Sequence, residues 1–211
     1  AIAFEKAGII KPGMDVVIGA LPGDARRVVS DVANTHGAHL IDAVAGNRIT
    51  PDPEGALGAM TIETTNDRYG PLSLALRGNH QIGNALVAIG LLETARRHGV
   101  PVTRDAIECG LTGVSWPGRL ELIDLPHGRQ VLLDAAHNVD GAQTLAAYLG
   151  HWHPERPRPV LVIGVMHDKD VEGIIGALLP FVSSVVTTAA DTARAIPAEA
   201  LAARIITTGP S

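Results

Sequence analysis

Residues 131–149, VLLDAAHNVDGAQTLAAYL, most narrow the folds open to this chain. An apolar run at 131–133 predicts a buried parallel strand, and Ala142, Leu145, Ala146 and Leu149 recur at the spacing of one helix face. Between them lies a polar turn that carries Asp134, His137, Asn138 and Asp140. Such a turn sits at the carboxyl end of a strand and the amino end of a helix, where open α/β sheets place their ligands. Free N–H groups and the helix dipole favour an anion there, a phosphate for example. An acid and an imidazole three residues apart could hold a sugar hydroxyl and touch that phosphate. The same Asp134 and Asn138 could equally do no more than cap the turn, and the stretch does not choose between the two.

The flanking sequence supplies more of the same grammar. Residues 1–9 read as the last turns of a helix, closed by Lys11-Pro12-Gly13. Residues 14–20 predict a strand, Ala25, Val28, Val29, Val32 and Ala33 a helix face, and 39–44 a second strand, which is a parallel strand-helix-strand unit. Residues 46–58, rich in Pro, Gly and Asp, read as irregular. Residues 60–64 and 71–76 predict an antiparallel hairpin turning through 66–70. A helix whose apolar positions include Ile82, Ala85, Leu86, Ile89 and Leu92 runs to Gly99, and Thr103 can cap the next one, with Asp105 in its first turn. Ser115-Trp116-Pro117-Gly118 then breaks the chain, which sets a domain boundary between 116 and 117. Beyond it, strands at 120–125, 131–133, 160–165, 182–187 and 205–206 alternate with helices, and 153–159 forms a loop. That alternation predicts a parallel sheet covered on both faces. Without an initiator Met, starting inside a helix and stopping in an expected strand, the chain reads as a piece of something longer.

Composition removes several classes of function. Aromatics are 3% of 211 residues and the net charge is -5, with no basic cluster beyond pairs such as Arg26-Arg27, so neither base stacking nor a nucleic-acid footprint is expected. No apolar run approaches the roughly 20 residues that span a bilayer, and no signal pattern opens the chain. Cys109 has no second cysteine to pair with, and a cytoplasmic location is expected. A G-x-G-x-x-G after a strand is absent, which disfavours a nicotinamide-dependent dehydrogenase; so are a G-x-S-x-G elbow and any Cys/His zinc spacing. Of nine histidines, His36, His98, His127, His151 and His153 fall in loops or at helix ends and read as solvated surface. His80, His137 and His167 fall in strand-to-helix turns and carry more information.

Four motifs point to one family. They are Phe4-Glu5-Lys6-Ala7-Gly8-Ile9-Ile10-Lys11-Pro12-Gly13; Gly78-x-His80-Gln81-x-x-Asn84-Ala85; Trp116-Pro117-Gly118-Arg119-Leu120-Glu121; and Leu133-Asp134-x-Ala136-His137-Asn138. In this order and approximate spacing the chain resembles the folylpolyglutamate synthase and dihydrofolate synthase family of the Mur ligase superfamily. Gly164-x-Met166-x-Asp168-Lys169-Asp170 is a fifth match.

The resemblance implies an α/β fold in which 1–116 is the C-terminal part of a P-loop ATPase domain of the Mur ligase central type. Residues 117–211 would be a Rossmann-like Mur ligase C-terminal, glutamate ligase domain with a mostly parallel sheet. It implies ATP and Mg²⁺ as cofactors and small molecules as partners: dihydropteroate or folates and L-glutamate, joined by a monomer with neither nucleic acid nor membrane involved. By resemblance, Lys6 is a carbamate ligand of Mg²⁺, for which hard oxygen donors are suited. Asn84 contacts the adenine with His80 bordering its pocket, Arg119 reaches the phosphates through its guanidinium fork, Asp134 binds the ribose, and His137 faces the phosphates. Arg119 and His137 would thus be the catalytic pair. On local evidence Lys6 is an exposed helix-end lysine, Arg119 a surface salt-bridge partner, and 168–170 a solvated loop without an assigned part. Ala135 and Val139 depart from the Gly and Pro that the family often has in that turn. The family's phosphate loop and the other metal ligands would lie upstream of Ala1, so these residues alone are not expected to catalyse. Closure about 115–118 would bring Arg119, Asp134 and His137 over the nucleotide. The alternatives are a peptidoglycan-type Mur ligase and a non-catalytic nucleotide-binding module.

Overall fold

The computed structural model describes residues 2–54, 56, 58–151 and 157–208. Most of the loop expected at 153–159, with His153, lies outside them. The chain divides into two units, Ala1–Trp116 and Pro117–Ser211.

The first unit opens with α1 (Ile2–Ala7), β1 (Asp15–Ile18), α2 (Gly23–Thr35) and β2 (His39–Asp42). The two strands pair in parallel from Asp15 opposite His39 to Ile18 opposite Asp42. Ala7, Ile10 and Ala33 are buried together, with Val29, Val32, Val16 and Leu40 against them, so the helix face read from the sequence is the one that packs. Next come β3 (Arg48–Pro51), β4 (Met60–Glu63) and β5 (Arg68–Leu72), a three-stranded antiparallel sheet. β3 falls inside the stretch read as irregular. Every one of its residues is exposed, so no hydrophobic alternation marks it, and only backbone pairing to β4 defines it. β5 begins at Arg68 rather than at 71. The turn is tighter than expected because Thr64 closes it twice, its N–H donating to the Asp67 carbonyl at 2.9 Å and its hydroxyl accepting from the Asp67 N–H at 3.0 Å.

Two helices complete this unit, α3 (His80–Arg97) and α4 (Arg104–Gly113). Thr103 Oγ1 accepts from the Ala106 N–H at 3.1 Å, the expected cap. Ile62, Tyr69, Leu86, Ile89 and Ile107 form the core between sheet and helices. A carboxylate is buried with them: Glu93 accepts from Thr64 Oγ1 at 2.7 Å, Asn66 Nδ2 at 2.7 Å and Tyr69 Oη at 2.8 Å. Three donors in place of water satisfy a charge that would otherwise be costly to bury, and they tie the β4–β5 turn to α3. Burial, and then the adjacent Glu93 carboxylate, push the Tyr69 phenol well above its ordinary value.

The second unit begins with β6 (Glu121–Leu125) and β7 (Arg129–Leu133), an antiparallel hairpin joined at 126–128. This overturns the buried parallel strand expected at 131–133, where Val131 and Leu133 are exposed. A three-residue connection cannot make the crossover that a parallel pair needs. Beyond it lie α5 (Val139–Gly150), β8 (Val160–Ile163), α6 (Val171–Leu178), β9 (Ser184–Thr187) and α7 (Ala198–Thr208), with β8 and β9 parallel. Leu161, Ile163 and Val185 face a core built on Val171, Ile174, Ile175, Leu178 and Leu201. Val160, Val162 and Val186, on the opposite face, are exposed, so among the described residues this pair is covered on one face and not on two. The strand expected at 205–206 is helical instead. Leu201 and Ile205 face the core four residues apart while Ile206 points out, a helical and not an alternating period.

Candidate functional site

In the first unit the candidate residues gather at the start of α3. Gly78 takes a left-handed φ of 96°, and its carbonyl accepts from the Gln81 N–H at 2.9 Å, so the chain enters the helix sharply. One helical turn then places His80, Gln81 and Asn84 together. Asn84 Nδ2 donates to Gln81 Oε1 at 2.9 Å, and Gln81 Nε2 lies 2.9 Å from His80 Nε2. Asn84 and Gln81 border a slot of about 270 Å³ whose other walls are apolar, among them Leu76, Ala88, Leu111 and Trp116. Amides at the edge of an apolar slot suit a flat heteroaromatic ring: the walls take its faces and the amides its polar edge. His80 is not on that lining; it touches the slot's amides through Gln81. Gln81 and Trp116 both fall within the sequence motifs, yet neither residue type announces a pocket until α3 and α4 are packed.

Lys6 lies elsewhere in this unit, exposed in the last turn of α1, a helix that packs against α2. Among the described residues no group of three His, Cys, Asp or Glu is placed to hold a metal ion. The described residues therefore do not by themselves compose a Mg²⁺ centre.

In the second unit the turn after β7 assembles a compact polar site. Asp134 Oδ1 accepts from the Ala136 N–H at 2.9 Å and Oδ2 from the Leu120 N–H at 3.0 Å. The carboxylate thus anchors both its own turn and the segment carrying Arg119. His137 Nδ1 donates to the Ala135 carbonyl at 3.0 Å, which fixes the ring and turns Nε2 away from that bond. Asn138 caps α5 by accepting from the Gly141 N–H at 2.8 Å. Glycine suits position 141, because a Cβ there would crowd the turn at 3.1 Å from Asn138 Oδ1 and 3.2 Å from Ala136 Cα. Arg119 is exposed, without an ion-pair partner among the described residues, between two left-handed residues, Gly118 (φ 72°) and Leu120 (φ 46°). Capping and ligand binding, left open by the sequence, are therefore not exclusive: the turn is capped, and the cap leaves His137 exposed and Arg119 unpaired.

The 168–170 motif divides its work. Asp170 Oδ1 caps α6 through the Gly173 N–H at 2.9 Å, while Asp168 meets Lys169 Nζ and Arg194 at 3.1 Å each. These two cations, Lys169 first, hold the Asp168 carboxyl below its usual range.

Residues 118–210 match the family described as Mur ligase, glutamate ligase domain. Over 205 residues the chain is 34% identical to the folylpolyglutamate synthase of Lacticaseibacillus casei, covering 93% of this chain and 46% of that one. It is 40% identical over 136 residues to the dihydrofolate synthase/folylpolyglutamate synthase of Mycobacterium tuberculosis, 64% of this chain and 27% of the relative. The structure of Mycobacterium tuberculosis folylpolyglutamate synthase complexed with ADP and AMPPCP superposes with a TM-score of 0.82 at 32% identity, over 98% of this chain and 47% of that one. The chain thus spans less than half the length of these relatives. Fold, motif order and sequence agree, and the chain belongs to the folylpolyglutamate synthase and dihydrofolate synthase family of Mur ligases.

Proposed function

We propose that this chain serves an ATP-dependent ligase that forms an amide between L-glutamate and a carboxylate of dihydropteroate, a (tetrahydro)folate, or both. The observation that carries the reading is the slot edged by Gln81 and Asn84, an apolar cleft with an amide edge that fits an adenine ring, in a chain similar over nearly its whole length to an ADP-bound synthase. A carboxylate oxygen of the acceptor attacks the γ-phosphorus of ATP and ADP leaves. The amine of glutamate then attacks the acyl carbon, phosphate departs, the amine loses a proton and an amide remains.

The residues contribute by position and charge. Asn84 meets the adenine edge and His80 steadies it through Gln81. Asp134 has one lone pair per oxygen committed to backbone N–H groups, and the remaining ones accept from ribose hydroxyls. Arg119 and His137 face the phosphates, where a fixed guanidinium offsets charge that builds during transfer. Lys6, as a carbamate, is proposed to ligate Mg²⁺. The enzyme works on small molecules, as a cytoplasmic monomer.

In the protein that carries this sequence, Arg119→Ala is expected to lower kcat for ATP-dependent glutamate ligation by about 100-fold or more, and Asp134→Ala to raise KM for ATP. Dihydropteroate, tetrahydrofolate and a UDP-muramyl precursor offered side by side identify the acceptor. Turnover of only the UDP-muramyl precursor, or an Arg119→Ala protein as active as the unaltered one, would sink the proposal.

A further inference from the structure

Gln81 is 6% exposed and its side chain neither caps a helix nor meets a charge; instead it links two other candidate residues. An amide nitrogen can only donate, so His80 Nε2 accepts from Gln81 Nε2, and Gln81 Oε1 is left to accept from Asn84 Nδ2. The chain of bonds therefore runs one way, from Asn84 through Gln81 to His80. That direction fixes which way the Asn84 amide is turned. With one N–H tied back to Gln81, Asn84 retains one N–H donor and one carbonyl acceptor for a ligand. Were the chain reversed, Asn84 would turn its carbonyl toward Gln81 and both N–H donors toward a ligand.

The two cases select different bases. The edge of a 6-aminopurine presents a donor at N6 and an acceptor at N7, which match a carbonyl and an N–H; a 6-ketopurine presents acceptors at O6 and N7. A mismatched edge forfeits both of the hydrogen bonds that Asn84 offers. On the reading that this slot takes the purine of ATP, we infer that Gln81 is the positioning residue through which the protein distinguishes 6-amino from 6-keto purine nucleotides. It acts through Asn84, and His80 sets the direction of the chain.

The test compares ATP with ITP, whose base differs at the 6-position and lacks the 2-amino group of guanine. In the protein that carries this sequence, kcat/KM for each nucleotide gives a selectivity ratio. Gln81→Met fills the same space but cuts the chain, and the ATP:ITP ratio is expected to fall about ten-fold or more, through KM and not kcat. His80→Phe, at an exposed position, keeps Gln81 and removes the acceptor that sets its direction; the same fall is expected should Gln81→Met not fold. Gln81→Glu retains an oxygen for Asn84 Nδ2 and is expected to keep the ratio of the unaltered protein. A ratio unchanged in Gln81→Met and His80→Phe overturns the inference, and so does a fall in Gln81→Glu as large as in Gln81→Met, which marks a packing role alone. Calorimetric titration of the unaltered protein with ATP separates the two levels: no binding there overturns the nucleotide reading and this inference with it, whereas binding with unmoved selectivity overturns only the inference.

Discussion

The two units bury different kinds of core. In the second unit the buried cluster is wholly aliphatic, from Ala142 and Val171 to Ile175 and Leu201, and the candidate residues sit on turns outside it. In the first unit Thr61, Gln81, Glu93 and Thr94 are buried as well; Gln81 lines the candidate slot, and Glu93 forms a polar cluster with Thr64, Asn66 and Tyr69. An aliphatic core fixes how elements pack but is tolerant of small slides. A buried polar cluster is satisfied in one register only, and in the first unit it locks the antiparallel sheet to the helix that carries His80, Gln81 and Asn84.

The contrast can be broken at either end. In the second unit Ile175→Ala removes a fully buried side chain and should cost about 3 kcal/mol, measured by urea denaturation, through lost burial and the cavity left behind. In the first unit Glu93→Gln keeps the volume but turns an N–H₂ group toward donors, and should cost about 2 kcal/mol. If Glu93→Gln cost nothing, the polar cluster would be no lock at all. Alkali sharpens the same point. Tyr69 is raised in the folded state, so the stability it contributes is complete below its ordinary value near pH 10.0 and is lost as pH climbs above it. A thermal-melt series above pH 10.0 should show that loss, and Tyr69→Phe should flatten it.

The smallest effect is expected at the surface of the first unit. Asp15 is held below the usual carboxylate range by His98 first, then by His39 and Arg97. A depressed acid stabilises the fold above its unfolded value and loses that contribution as pH falls below about 4. Asp15→Asn should therefore lower Tm slightly at neutral pH and leave it unchanged in strong acid. A Tm difference that persisted in acid would assign the residue a packing role.

Legibility in the sequence follows the same divide. Parallel β1 and β2 around α2, the Thr103 cap and the Ala85, Leu86 and Ile89 part of the α3 face could be read because each has a local signal, a helical period, a capping residue or a glycine stop, whereas Leu92 on the same period is exposed. β3 had none. The continuous apolar letters of β8 concealed that only Leu161 and Ile163 face the core, and the helical placement of Ile205 depended on Leu201 four residues before it. Among the candidate residues, Asn84, Asp134 and His137 were named by motif, yet the bond that turns the Asn84 amide and the one that ties Asp134 to Leu120 are tertiary facts. No spacing rule anticipates a carboxylate reaching back fourteen positions to a backbone N–H.

That last bond governs how Arg119 can be altered. Its neighbours on both sides hold φ values that L-residues avoid, and Leu120 tolerates its own because its side chain is sunk to 2% exposure and its N–H is claimed by Asp134. The direction in which the guanidinium leaves the backbone is thus written into the residues beside it. An arginine moved one place along the chain would carry the same charge and aim it somewhere else, so reproducing this presentation of the cation on another scaffold means transplanting the pair of left-handed flanks along with it.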